Sequence, residues 1–255
     1  MKPDIVVDIG NSRIKWGFCD PGRVVAVASL PPDDPVCWRD AAVRWQLFGS
    51  QVWAVSGVHP ARQHRLIEWL NHDWFTHQRG EAFLVDRVQQ LPLQVSLEQP
   101  DTVGIDRLLN AVAAVQHPSG GRVPAIIVDA GSAVTVDWVD EDGSFRGGAI
   151  LPGLRLMAQA LHEHTALLPL VQIDQPSPPL PGRSTDGAMQ AGVYHAVAGG
   201  INELIARFTQ QSASLPHIFL TGGEAELLRP AVNERAELWP EMTLEGIRLT
   251  AEAQP

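Results

Sequence analysis

Two short motifs place a carboxylate, a glycine and small polar side chains at the end of an apolar run. The first is Asp8–Ser12 (DIGNS), which Lys15 follows, and the second is Asp129–Ser132 (DAGS). Glycine lets the backbone turn sharply, and successive N–H groups in such a turn bind phosphate oxygens. A carboxylate beside phosphate needs a cation between the two charges, and Mg²⁺ is typically held by one or two carboxylates plus substrate phosphates. Together the motifs predict a clamp for a Mg-nucleotide, with Lys15 reaching the phosphates.

Each motif alone is also typical of an ordinary turn in which the Asp caps and the Gly permits the bend. Asp129 lies 121 residues after Asp8, and both motifs sit between apolar runs of similar pattern, so the ordinary turn and the nucleotide site are equally supported by the pair. A third motif, Thr221–Gly223, ends the apolar run HIFL and could let adenine and ribose lie against backbone. The sequence contains neither a Walker A loop nor a G-x-G-x-x-G fingerprint.

The elements that must position these motifs occur twice along the chain. Apolar and alternating runs predict strands at DIVV, RIKWGF, VVAVA, QVWAVSGV and FLVD, and helices at AAVRWQLF, PARQHRLIEWLNH and VGIDRLLNAVAAVQH. The turn-rich segment HPSGGRVP then interrupts the pattern, and AIIVDAGSAVTVDWVDEDGSFRGGAILPG repeats the order of strand, turn and strand. We therefore predict an α/β protein of two duplicated lobes with mixed sheets, residues 1–118 and 119–255, with the nucleotide in the cleft between them.

Composition narrows the function classes. The chain has 255 residues and a formal net charge of −10, which argues against nucleic acid or an anionic membrane as the main partner. Two cysteines are too few for a disulfide scaffold or a Cys-based zinc site. No stretch approaches the ~20 apolar residues of a membrane span, so we expect a cytoplasmic protein.

The ordered set of motifs resembles the type III pantothenate kinases, a family of the acetate kinase/sugar kinase/Hsp70/actin superfamily. The resemblance runs from Asp4 to about Leu228 and comprises DIGNSRIK, P-x-x-VGIDR, VDAGSAVTVD, GGAILPGL, ALLP, STDGAMQAG and LTGG. It implies two duplicated ribonuclease H-like lobes of the actin-like ATPase superfamily. It also implies ATP-dependent phosphorylation of pantothenate, the first step of coenzyme A biosynthesis, by a homodimer.

The resemblance also implies roles for individual residues. ATP would be bound by Asp8, Ile9, Gly10, Asn11, Ser12, Arg13, Ile14, Lys15 and Ser132. Pantothenate would be bound by Gly104, Ile105, Asp106, Arg107 and Thr185, with Asp106 as the catalytic proton acceptor. The cofactors would be Mg-ATP, held in part by Asp8, and a monovalent cation, potassium or ammonium, at Asp129.

The chemistry of Asp106 and Arg107 agrees with those roles. Phosphoryl transfer requires positioning, charge neutralisation and a carboxylate near the attacking hydroxyl, and Arg suits a substrate carboxylate. The dipeptide alone is more typical of an acidic residue at a helix start with a solvated Arg beside it, and only the surrounding family pattern favours the functional roles. Two positions depart from the family pattern. Ser132 replaces a frequent Thr and keeps the hydroxyl, whereas Leu97 stands where an aromatic residue is expected and puts one substrate contact in doubt.

Two alternatives remain open from the sequence. A kinase of the same fold for another small acceptor, or an exopolyphosphatase, would carry the same Asp-x-Gly turns. A non-catalytic nucleotide-binding regulator would bind ATP without turnover that depends on an acceptor. The acceptor-side stretches GIDR and STDG argue against the first alternative, and the acidic charge argues against a regulator that binds DNA directly.

Overall fold

The computed structural model describes residues 1–20, 22–75, 80–118 and 123–254. The chain divides into two compact units. Unit 1 comprises Met1–Leu93, Glu98–His117 and Glu241–Pro255, and unit 2 comprises Gln94–Leu97 and Pro118–Pro240. The predicted lobes, 1–118 and 119–255, are each continuous, whereas both units are discontinuous. Residues 119–122, inside the predicted boundary segment HPSGGRVP, lie outside the described residues.

Unit 1 is built on a five-stranded mixed sheet. Its strands are β1 (Ile5–Ile9), β2 (Ile14–Asp20), β3 (Arg23–Leu30), β4 (Val52–Gly57) and β5 (Glu81–Leu84). They lie in the order β3-β2-β1-β4-β5, with β1 antiparallel to β2 and parallel to β4. Each predicted strand of this half overlaps one observed strand. The DIGNS motif therefore lies at the carboxyl end of β1, the edge at which open α/β sheets bind ligands.

Among the described residues, four α-helices pack on this sheet. They are α1 (Pro35–Arg44), α2 (Pro60–Trp69), α3 (Ile105–Val115) and, from the end of the chain, α7 (Met242–Glu252). Helix α1 begins six residues before the predicted segment AAVRWQLF. Asp34 caps it by accepting the N–H groups of Val36 and Cys37 at 3.0 and 3.2 Å, and Pro35 suits the first helical position.

Tryptophan side chains dominate the core between the unit 1 sheet and helices α1 and α2. Trp16 on β2 meets Trp53 on β4 edge to face, with ring centroids 4.9 Å apart. Trp38 on α1 and Trp69 on α2 pack edge to face at 5.6 Å. Large buried aromatic rings contribute strongly to core stability, so this cluster fixes the strands that carry the first motif.

Unit 2 contains a six-stranded sheet and the remaining helices. Its strands are β6 (Gln94–Val95), β7 (Ala125–Ala130), β8 (Ala133–Val139), β9 (Ser144–Pro152), β10 (His217–Thr221) and β11 (Glu237–Leu238). They lie in the order β11-β10-β7-β8-β9-β6. Its helices are α4 (Leu154–Glu163), α5 (Thr185–Gln211) and α6 (Ala225–Leu228). Among the described residues, no helix combines the length and apolarity needed to cross a membrane.

The two sheets repeat one topology. Strands β7 to β11 take the same relative places as β1 to β5, since β7 is antiparallel to β8 and parallel to β10. Asp8 and Asp129 are each the penultimate residue of the first strand in their sheet. The predicted duplication is confirmed at the level of strand order and direction.

Candidate active site

The first motif forms the turn between β1 and β2. Gly10 donates its N–H to the carbonyl of Arg13 at 3.0 Å, which closes the turn. The side chains of Asn11, Ser12 and Arg13 are exposed at its tip. Such a turn can present backbone N–H groups and small polar side chains to an anion.

Two charged residues of the first motif lie opposite each other in the hairpin. Asp8 pairs with Lys15 in the β1–β2 register, and both are half-buried. Directly opposed residues of an antiparallel pair share one face of the sheet, so the carboxylate and the ammonium group lie on the same side. Ile9 and Ile14 are fully buried in the core, which restricts their predicted contacts with ATP to backbone atoms.

The second motif forms the equivalent turn of unit 2, and two threonines flank its carboxylate. Gly131 donates its N–H to the carbonyl of Ala133 at 3.1 Å. Asp129 pairs with Thr135 on β8 and with Thr221 on β10. The hydroxyl oxygens of both threonines are buried and have no hydrogen-bond partner among the described residues. The carboxylate of Asp129 is therefore flanked by two buried hydroxyl oxygens, and it is these two hydroxyl oxygens that have no partner in the described part of the chain.

Close backbone contacts fix the surroundings of the second motif. Gly222 of the LTGG motif has φ +98°, and a Cβ there would lie 2.5 Å from Asp129 Oδ1. Gly153, before α4, donates its N–H to the carbonyl of Ser132 at 3.1 Å. Any side chain at Gly153 would overlap the backbone of Gly131. The LTGG loop and the start of α4 thus abut the Asp129–Ser132 turn.

Glu224 is a residue at this site that sequence reasoning missed. Its Oε2 accepts the N–H of Leu154, the first residue of α4, at 3.1 Å. Partial burial raises the pKa of this carboxyl, against the opposing effect of backbone hydrogen bonds from Leu154 and Arg155. Its position directly after LTGG is the one signal in the sequence that could have identified it.

The predicted catalytic carboxylate lies in the first turn of α3. Asp106 Oδ1 accepts the N–H of Arg107 at 2.9 Å, and a Cβ at Gly104 would lie 2.6 Å from the same oxygen. Burial raises the pKa of Asp106, and it outweighs the lowering effect of the hydrogen bond and charge of Arg107. Ile105 is buried in the core. The predicted group Gly104–Arg107 is thus one helix start, at which a half-buried carboxyl group is partly shielded from bulk water.

Thr185 is the first residue of α5. It belongs to unit 2, like the second motif, but lies on a separate element. Ser184 caps this helix by accepting the N–H of Gly187 at 3.1 Å. Thr185 is exposed and lines an apolar cavity of about 540 Å³ together with residues of α4, the segment after it and α5. Leu97, which follows β6, is half-buried, and its Cδ2 would lie 3.2 Å from a Cβ at Gly147 on β9.

Comparison with known sequences identifies the family. A family model described as type III pantothenate kinase matches residues 5–207. The type III pantothenate kinase of Geobacter sulfurreducens is 37% identical to this chain, and that of Pelobacter propionicus is 30% identical. Each alignment covers 97% of this chain and 98% of the relative. The chain belongs to the type III pantothenate kinases. The predicted family is confirmed.

Solved structures of lower identity share the fold of this type III pantothenate kinase. A conserved candidate Baf family transcriptional activator from Campylobacter jejuni aligns with a TM-score of 0.62 at 19% identity, over 97% of both chains. The activator of 2-hydroxyisocaproyl-CoA dehydratase from Clostridium difficile, with bound ADPNP, aligns with a TM-score of 0.54 at 13% identity, over 99% of this chain and 96% of that one. These likenesses concern the fold alone. The predicted α/β fold is confirmed.

Proposed function

We propose that the protein transfers the γ-phosphoryl group of ATP to pantothenate, giving 4′-phosphopantothenate in the first step of coenzyme A biosynthesis. The observation that carries this proposal is the family match over residues 5–207, a range that contains every predicted site residue. The two Asp-x-Gly motifs at equivalent turns of the fold support it.

Asp106 is proposed as the proton acceptor. The terminal hydroxyl oxygen of pantothenate forms a bond to the γ-phosphorus, the bond to the β,γ-bridging oxygen breaks, and ADP leaves. The hydroxyl proton passes to the Asp106 carboxylate. A raised pKa makes this carboxylate a stronger base than an exposed Asp. Arg107, beside it, is proposed to pair with the pantothenate carboxylate, while Gly104, Ile105 and Thr185 complete the acceptor site.

The first turn is proposed to bind the phosphates of Mg-ATP. Asp8 offers a half-buried carboxylate beside a turn of backbone N–H groups, which fits a Mg²⁺ ion shared with phosphate oxygens. When bound, Mg²⁺ neutralises charge on the phosphates. Asn11, Ser12 and Lys15 would orient the phosphate chain from the protein side, and Ser132 would add a hydroxyl from the second motif.

Asp129 is proposed to hold the monovalent cation, potassium or ammonium. The donor set fits such an ion, because the carboxylate is flanked by the buried hydroxyl oxygens of Thr135 and Thr221, which lack hydrogen-bond partners among the described residues. Buried polar atoms without a partner are costly, and a bound cation or its water would satisfy them.

We also propose a homodimer that acts in the cytoplasm. Unit 2 exposes large apolar side chains around α4 and the segment after it, at Ile150, Leu156, Leu167 and Leu170. Leu167 is 92% exposed. Exposed apolar patches often mark protein interfaces. Light scattering should give twice the chain mass of 27.8 kDa, and a mass of one chain would refute the dimer.

The cytoplasmic location is proposed from the pathway and from the two free cysteines.

The test is ADP release with Mg-ATP and potassium, with and without pantothenate. We expect release that depends on pantothenate and is lost in Asp106→Asn. If ADP release does not depend on pantothenate, the fold assignment still holds, but the enzyme must use another acceptor or act on polyphosphate. ATP binding without turnover would favour a non-catalytic regulator.

A further inference from the structure

The side chain of Arg62 contacts the first motif, although no predicted site residue lies near it in the sequence. Arg62 is in the first turn of α2, and its Nη1 donates to the carbonyl oxygens of Gly10 and Asn11 at 3.3 and 2.5 Å. Its Nε lies 3.3 Å from Oδ2 of Asp33. All these residues belong to unit 1. The guanidinium group is thus held between a carboxylate and the backbone of the β1–β2 turn.

The polarity of the peptide bond gives this contact a consequence for ligand binding. In a planar trans peptide the N–H and C=O groups point in opposite directions. With the carbonyls of Gly10 and Asn11 directed at Arg62, the N–H groups of the next residues, Asn11 and Ser12, are directed to the opposite side. Backbone N–H groups directed to one side are what a phosphate group needs.

The start of α2 is itself fixed against β1, so Arg62 approaches the turn from a rigid base. Val58 donates its N–H to the carbonyl of Ile9 at 3.2 Å. Gly57 has φ +150°, and a Cβ there would lie 2.7 Å from Cβ of Ile9. Gln63 donates from Nε2 to the carbonyl of Gly57 at 2.9 Å. The path from β4 into α2 is therefore packed on the end of β1.

The charge of Arg62 is not neutralised within the turn, so it contributes positive potential there. Its hydrogen-bond acceptors on the turn are neutral carbonyls. Among the described residues its one acidic partner is Asp33, whose side chain is 47% exposed and therefore well screened. We propose that Arg62 is a positioning residue for ATP, which fixes the peptide orientation of the turn at Gly10–Ser12 and adds positive potential beside it. The proposal rests on the proposed role of this turn in binding the ATP phosphates.

The experiment compares Arg62→Ala, Arg62→Lys and the control Arg65→Ala. Arg65 lies on the same helix and pairs with the same Asp33, at 3.2 Å, but among the described residues no hydrogen bond joins it to the turn. We expect Arg62→Ala to raise the KM for ATP about tenfold, equivalent to about 1.4 kcal/mol. The KM for pantothenate, the kcat and the melting temperature should change little. Arg62→Lys should restore part of the loss, and Arg65→Ala should match the wild type.

Amide hydrogen exchange of the ATP-free protein gives a second measurement that does not depend on activity. Exchange at residues 10–13 should be faster in Arg62→Ala and unchanged in Arg65→Ala, because among the described residues Arg62, and not Arg65, is hydrogen-bonded to the turn. An unchanged KM for ATP in Arg62→Ala, or equal effects of the two Ala variants, would overturn the proposal.

Direct ATP binding to Asp8→Asn separates this proposal from the assignment beneath it. If Asp8→Asn binds Mg-ATP as tightly as the wild type, the ATP role of the turn is wrong. If Asp8→Asn weakens binding and Arg62→Ala does not, the positioning role alone is wrong.

Discussion

Asp106 combines a cost to folding with a proposed role in catalysis. Because burial raises its pKa, the folded protein binds the Asp106 proton more tightly than the unfolded chain does. The effect of Asp106 on the free energy of unfolding is therefore most favourable at low pH, where the carboxyl is protonated. It becomes unfavourable as the pH rises through the folded-state pKa and the carboxylate must be buried with its charge. Active sites commonly keep such groups despite their effect on stability.

We predict that Asp106→Asn melts at a higher temperature than the wild type at neutral pH, because Asn carries no charge to desolvate. The difference should shrink as the pH falls towards the ordinary carboxyl range, about 4. Turnover should fall by about 10²-fold or more, the usual contribution of a positioned acid or base. Melting curves between pH 4 and 8, with turnover at one pH, measure both effects. The control is Asp101→Asn, since Asp101 is exposed. A difference in melting temperature that does not vary with pH would contradict this explanation.

The hydroxyl group of Thr221 provides a test of the cation site that does not depend on activity. Thr221 is almost fully buried and its Oγ1 has no hydrogen-bond partner among the described residues. We predict that potassium raises the melting temperature of the wild type relative to choline at equal ionic strength. Thr221→Val should remove most of this increase, because Val has the same shape without the hydroxyl group. Equal potassium effects in both proteins would exclude Thr221 from the site.

At the scale of elements, the packing of α7 on α3 depends on one glycine. A Cβ at Gly246 would overlap the carbonyl oxygen of Leu109 and lie 2.6 Å from its carbon. Gly-to-Ala substitution in an open helix stabilises by about 1 kcal/mol, but overpacking typically costs about 1–3 kcal/mol. At Gly246 the clash involves backbone, which cannot rotate away, so the steric cost exceeds the gain in helix propensity.

We predict that Gly246→Ala lowers the free energy of unfolding by at least about 1 kcal/mol. Gly199→Ala is the matched control, because Gly199 is also in a helix and a Cβ there meets no atom within 4 Å. This second variant should be more stable than the wild type by up to about 1 kcal/mol. Denaturant unfolding of both proteins measures the pair. If both variants are stabilised, the close contact between α7 and α3 does not exist in solution.

Local patterns predicted most strands and helices, because apolar periodicity and turn residues act over a few positions. They predicted the start of α3 near Asp106 and the equivalent turns at Asp8 and Asp129. They placed the start of α1 too late, since the Asp34 cap lies outside the apolar pattern. Contacts between segments that are distant in the sequence leave no local apolar or turn pattern from which they could be predicted. Arg62 meets Gly10 across 52 residues of sequence, and Glu224 meets Leu154 across 70.

At the scale of the whole molecule, the last segment of unit 1, Glu241–Pro255, follows unit 2 in the sequence. Helix α7 is tied to β3 because Glu245 Oε1 accepts the N–H of Val24 at 2.6 Å. Arg248 lies between Glu245 and Glu252, at 2.6 and 2.8 Å. Removing one partner from such a buried group is strongly destabilising. The repeated motifs thus follow one another in the sequence, whereas unit 1 is assembled from separate segments that include the last helix of the chain.

This arrangement predicts that residues 1–118 do not fold alone. Their sheet would lose the cover of α7, whose Met242, Leu244 and Ile247 are almost fully buried. Burial of each such side chain contributes about 1.5–3 kcal/mol, and a domain has a net stability of only about 5–15 kcal/mol. Joining residues 241–255 to residues 1–118 through a flexible linker should restore cooperative unfolding. The measurement is the fluorescence of the buried tryptophans during denaturation. A scrambled 241–255 segment is the control. Cooperative unfolding of residues 1–118 alone would instead support the continuous lobe, and α7 would then be an accessory to a unit that its first 118 residues already specify.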